Sequence, residues 1–114
     1  MLLMKKQREI PALSQKEAIV LGILLGRAGR EMYGLEMIDE SRSLLKRGTI
    51  YVTLQRMEEK GLVESRQEAR PKPEIGVPRR LYRPTGIGQK AFENYRQTHG
   101  KVSEVFAGAE PRLV

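Results

Sequence analysis

Gly48-Thr-Ile-Tyr-Val-Thr-Leu-Gln-Arg-Met-Glu-Glu-Lys-Gly61 carries apolar residues at Ile50, Leu54 and Met57, the i, i+4, i+7 stripe of an amphipathic helix. The spacing predicts a helix from about Thr49 to Lys60, stopped at Gly61, a residue suited to a left-handed C′ position. With Ile50 at the centre of the buried face, Val52, Gln55, Arg56 and Glu59 stand opposite it, flanked by Thr49 and Lys60. Lys46 and Arg47 precede the helix, where backbone amides also favour an anion. Arg56 or Gln55 has the donors to pair with a guanine or adenine edge, and the Val52 methyls suit a thymine methyl. An ordinary solvated helix face is the plainer reading, and Glu58-Glu59-Lys60 fits it equally well. Glu59 repels phosphate, which restricts groove contacts to the N-terminal half.

Immediately downstream, Leu62–Ala69 and Arg79–Arg83 read as two strands. The intervening Arg70–Pro78 holds three prolines and a glycine and is expected to be the loop of their hairpin. Thr85 is the expected cap of a last helix, with apolar positions Ile87, Ala91, Tyr95, Val102, Val105 and Phe106 at roughly heptad spacing. Gly88 and Gly100 would weaken that helix. Upstream, Tyr33–Ser41 reads as a short helix and Ser43–Gly48 as a loop. Ser14 and Glu17 have capping-box spacing ahead of an apolar segment, Ala18–Leu25, that covers most of a helix circumference. Arg27–Arg30 reads as a turn.

Three helices, a strand, a basic loop, a second strand and a last helix make a mainly α chain with a small β-hairpin: a winged helix-turn-helix. The expected division is a winged-helix domain over 12–85, a C-terminal dimerisation helix over 86–108, and an N-terminal arm or short helix over 1–11. The apolar stripe of the last helix (Ile87, Ala91, Tyr95, Val102, Val105, Phe106) is the candidate dimer seam, which the arm is free to join. A core this small, with six aromatic residues in 114, favours a homodimer.

Charge narrows the class of partner. The net charge of +7 is concentrated in residues 42–85, which hold eleven basic and five acidic side chains. Such clustering favours a polyanion, and the sequence expectation is double-stranded DNA. Arg70, Lys72, Arg79 and Arg80 flank the stiff loop and are candidates for a DNA backbone or minor groove. Basic hairpin tips also occur merely to keep strand edges from pairing. The longest apolar stretch, Ala18–Gly26, is nine residues, far short of the roughly 20 a membrane span needs. Without cysteine there is no disulfide framework, a composition that suits a reducing cytoplasm. The lone His99 has no nucleophile or carboxylate nearby in sequence, and no phosphate-cradling glycine motif occurs, so no enzyme activity, metal or cofactor is expected.

The pattern Tyr33-Gly34, Gly48-Thr-Ile-Tyr51 with Leu54, Met57-Glu58, Lys60-Gly61-Leu62-Val63 and Arg79-Arg80-Leu-Tyr82-Arg83-Pro-Thr85-x-x-Gly88 resembles the PadR family of transcriptional regulators over about residues 13–90. The resemblance implies a dimeric winged-helix repressor that binds a palindromic operator. It places Thr49 and Tyr51 on the recognition helix, Arg79 and Arg80 on the second strand of the wing, and Tyr82 at its packing anchor. Val52 stands where the family has Pro, and Pro84 where it has Leu. Some members hold phenolic compounds or planar drugs at the dimer interface with a Trp-containing cage. This chain has no Trp, so no effector is assigned.

The expected function is therefore a sequence-specific DNA-binding regulator. Lys46, Arg47, Thr49, Tyr51, Val52, Gln55 and Arg56 are its recognition-helix contacts, and Lys72, Arg79 and Arg80 its wing contacts. A winged-helix protein-interaction module and a non-specific architectural DNA binder are the alternatives.

Overall fold

The computed structural model describes residues 9–26, 31–68 and 79–99. Among them are four helices and three strands: α1 (Gln15–Gly26), β1 (Met32–Tyr33), α2 (Gly34–Glu40), α3 (Arg47–Glu59), β2 (Val63–Gln67), β3 (Arg80–Pro84) and α4 (Gly86–Thr98). The strands form an antiparallel sheet in the order β1-β3-β2, with Tyr82 opposite both Met32 and Ser65. This is a winged helix-turn-helix.

α1 begins with the expected capping box: the Ser14 amide donates to Glu17 Oε1 (2.9 Å) and the Glu17 amide to Ser14 Oγ (3.1 Å). Ala18, Ile19, Val20, Leu21 and Leu24 are buried, as the nearly all-round apolar pattern requires of a central helix. α2, α3, β3 and α4 all pack against it. The core closes with Met37 from α2, Ile50, Leu54 and Met57 from α3, Leu62 and Val63, and Ala91 and Phe92 from α4. Among the described residues no helix is long and apolar enough to cross a membrane, and no acidic, histidine or cysteine cluster could hold a metal.

Several expectations change. The sheet has three strands because Met32 and Tyr33 pair with Tyr82 and Leu81, a two-residue strand too short to leave an alternation in sequence. Tyr33 is thus extended and caps α2 instead of belonging to it, its amide donating to Glu36 Oε1 at 2.8 Å. α3 starts at Arg47, two residues before the expected Thr49, with Lys46 as its extended N-cap. Ala91 is 1% exposed in the chain's own core, so it is not free to join a dimer seam. It lies on the face of α4 that packs against α1 and β3. Ile87, at 46% exposure, and the half-buried Tyr95 are not covered in this way. Val102, Val105, Phe106 and Lys72 lie outside the described residues, as do the Arg27–Arg30 turn and the whole Arg70–Pro78 loop.

The turn between α2 and α3 is held by buried Ser41, whose hydroxyl donates to the Ile38 carbonyl (2.8 Å) and accepts from the Leu45 amide (3.0 Å). Arg42 and Ser43 complete it at positive φ, 54° and 74°. At its other end, α3 terminates at Gly61 with φ 80° and is tied to α1. Lys60 Nζ donates to both oxygens of the buried Glu17 carboxylate, at 2.9 and 3.1 Å. Replacing Lys60 with Met leaves a buried carboxylate short of its cation and is expected to cost about 1–2 kcal/mol. Most of that loss should return when Glu17→Gln is added, measured as urea midpoints of the wild type, both single variants and the pair. A double variant no more stable than Lys60→Met would show that the charge pairing is immaterial.

Candidate nucleic-acid interface

The helical phase of α3 sets its chemistry. Ile50, Leu54 and Met57 are fully buried, and successive residues rotate by about 100°. Gly48, Val52, Gln55 and Glu59 therefore form an outward ridge, with Thr49 and Arg56 along one edge and Tyr51 along the other. All seven are exposed, Tyr51 at 48% and Val52 at 51%. The predicted recognition-helix residues Thr49, Tyr51, Val52, Gln55 and Arg56 thus share one accessible surface, and Lys46 and Arg47 border its N-terminal end.

Tyr51 is turned toward α2. A methyl group added at Gly34 would stand 2.8 Å from Tyr51 Cε1, so glycine there lets the ring lie over the start of α2. Tyr33, Tyr51 and Tyr82, with Arg79 and Arg80, line a groove of about 420 Å³ between α2, α3 and β3. The Tyr82 hydroxyl has its pKa raised, first by burial and then by the Glu58 carboxylate, so the neutral phenol is favoured.

The middle third's positive charge is sorted by the fold. Arg66 makes a two-pronged contact with Glu31 (2.7 and 2.9 Å), which lowers the Glu31 pKa chiefly through that hydrogen bond and raises that of Arg66. Arg83 pairs with Glu64 at 3.2 Å, and Lys60 with Glu17. Arg79 lies 3.5 Å from Glu68 with its guanidinium 4.0 Å above the Tyr33 ring, while the Tyr33 hydroxyl donates to the same carboxylate at 2.7 Å. Arg79 is therefore a clasp at the root of the wing. Arg80 Nε donates to Ser65 Oγ (3.0 Å), which in turn donates to Glu58 Oε2 (2.9 Å), linking the wing strand to α3. Among the described residues no acidic side chain pairs with Lys46, Arg47 or Arg56. These three cations lie together on or beside the exposed face of α3, while Lys16, Arg42, Arg80, Lys90 and Arg96 also lack an acidic partner among the described residues.

Sequence reasoning placed Glu17 in a helix cap but missed its pairing with Lys60, and it missed Glu31, Glu68 and Ser65, because these contacts join separate parts of the fold. His99 is exposed, and its ring stacks on Tyr95 with centroids 4.2 Å apart.

A helix-turn-helix whose second helix is exposed, basic at its start and flanked by a basic wing strand defines the class of winged-helix transcription regulators. The chain belongs to the Transcriptional regulator PadR-like family, whose profile matches residues 20–94. Its fold is similar to that of a PadR family transcription regulator from Clostridium difficile, with 27% identity and a TM-score of 0.59 over 81% of this chain and 95% of that one. A PadR-like transcriptional regulator from Bacillus cereus shares the fold at 24% identity and a TM-score of 0.57, covering 93% of this chain and 94% of its own. A PadR-like transcription factor from Bacteroides fragilis does so at 20% identity and a TM-score of 0.61, covering 82% and 87%. No curated protein matches the chain in sequence.

Proposed function

We propose that this transcriptional regulator acts as a homodimeric repressor that binds a palindromic operator. In this reading α3 enters the major groove, and the basic wing over residues 70–80 lies on the backbone or in the minor groove. The observation that carries the reading is the sorting of charge. Intramolecular partners neutralise Lys60, Arg66, Arg79 and Arg83, while Lys46, Arg47 and Arg56 surround the exposed ridge of α3 without one among the described residues. Cations grouped on one exposed face favour a polyanionic partner. Lys46 and Arg47 would hold phosphates, and Gln55 and Arg56 would pair with base edges. Arg80 would reach the backbone beside the wing, with Lys72 following it. A two-fold dimer through α4 would set two copies of α3 about one DNA turn apart, matching a palindrome. Ile87 and Tyr95 are its available apolar positions on that helix.

The test is fluorescence anisotropy of the full chain on DNA from upstream of its own gene and on a shuffled duplex, across a salt series. Specific binding predicts tighter association with the native fragment, and log affinity falling by about 0.9 per phosphate contact for each log unit of salt. Arg56→Ala is expected to cost about 1–3 kcal/mol on the native fragment and to relax preference at one base position. Lys46→Ala should weaken both duplexes alike and reduce the salt slope by about one. Equal losses on both duplexes for both variants would overturn the division of roles. Absence of binding at low salt would overturn the DNA reading itself.

A further inference from the structure

Two residues on the outward ridge of α3 are poor choices for the free protein. Val52 is 51% exposed, although a β-branched side chain on a solvated helix face contributes no packing and loses rotamer freedom. Gly48, one turn earlier on the same ridge, is the second residue of the helix, where glycine still gives up more backbone freedom than alanine would. A side chain there would meet nothing within 4 Å, and Gly48 is not among the positive-φ residues, so neither space nor backbone angle requires glycine. Helical phase sets the bare backbone of Gly48 beside the isopropyl group of Val52, a step, or notch, in the ridge. Gln55 and Arg56 border it, while the Tyr51 ring is drawn aside over Gly34.

The notch is apolar at its centre and cationic at its border, which suits a nucleic-acid base that presents a methyl group. Among the four standard bases only thymine does so in the major groove, through its C5-methyl. We infer that the Gly48–Val52 notch seats a thymine in each half-site. The bare backbone at Gly48 lets the helix approach the base, and Val52 covers the methyl. This inference rests on the DNA-binding reading and adds to it the identity of a base.

The experiment begins by enriching duplexes from a random-sequence library with the full-length chain. The enriched duplex is then remade with deoxyuridine replacing thymidine at one position at a time in a half-site. Uracil lacks only the methyl, so loss of that contact is expected to weaken wild-type binding by about fourfold at one position. Val52→Ala should bind the thymidine and deoxyuridine duplexes alike there, which separates a methyl contact from a change in DNA shape. Gly48→Ala should raise the thermal midpoint of the free protein, yet weaken binding to the thymidine duplex. Tolerance of uracil at every position, or a Val52→Ala variant as sensitive to uracil as the wild type, overturns the inference while leaving DNA binding intact. Failure to enrich any sequence overturns the inference together with the reading beneath it.

Discussion

Gly88→Ala is expected to destabilise the fold by about 3 kcal/mol, at the upper end of overpacking effects. Helix propensity alone predicts the opposite sign, since alanine is favoured over glycine in a helix by about 1 kcal/mol. Packing decides the sign. A Cβ at this position would run into the Leu62 carbonyl oxygen and stand 3.1 Å from Leu21 Cδ2. That carbonyl has little freedom to move, because it accepts from the Thr85 amide at 3.1 Å and from the Thr85 hydroxyl at 3.1 Å. The same hydroxyl donates to the Gly61 carbonyl at 2.6 Å and caps α4 by accepting from the Gly88 amide at 3.0 Å. The start of α4 is thereby pressed onto the exit of α3, and adding one carbon forces them apart. A urea titration should show a lower midpoint with an unchanged slope. A midpoint at or above that of the wild type would mean that α4 does not start against Leu62.

Leu54→Ala and Val52→Ala, two residues apart on α3, should have opposite consequences. Leu54 is fully buried, and its truncation leaves a cavity between α3 and the core, expected to cost about 3 kcal/mol within the 2–5 range of such changes. Val52 is half exposed, so alanine there should change stability by less than about 0.5 kcal/mol. DNA affinity should behave in reverse, with Val52→Ala weakened and the folded fraction of Leu54→Ala close to wild type. Denaturation midpoints and anisotropy on the same preparations separate the two. A Leu54→Ala variant that stays as stable as the wild type would contradict the assigned inward face of α3, and with it the ridge opposite.

What the sequence determined by itself is local. The Ser14–Glu17 cap, the Thr85 cap, the Gly61 stop and the inward stripe of α3 each depend on residues within two turns of one another. Their geometry follows from helix periodicity before any tertiary contact forms. The same periodicity placed Val52, Gln55 and Arg56 on one face, so the candidate site was legible as a helix surface. Tertiary structure alone decided which cations remain available on that surface. Lys60 with Glu17, Arg66 with Glu31 and Arg83 with Glu64 are pairs between separate elements, and composition counted all three cations toward a basic patch. Arg79, a candidate for DNA contact by sequence, is held by Glu68 and Tyr33 in the folded chain, which no local pattern shows. Ala91 was assigned to a dimer seam on spacing, and Gly88 was expected merely to weaken a helix. Apolar periodicity marks the buried face of a helix without saying which surface buries it. The packing of α4 on α1, β3 and the Leu62 carbonyl supplied that answer for both residues.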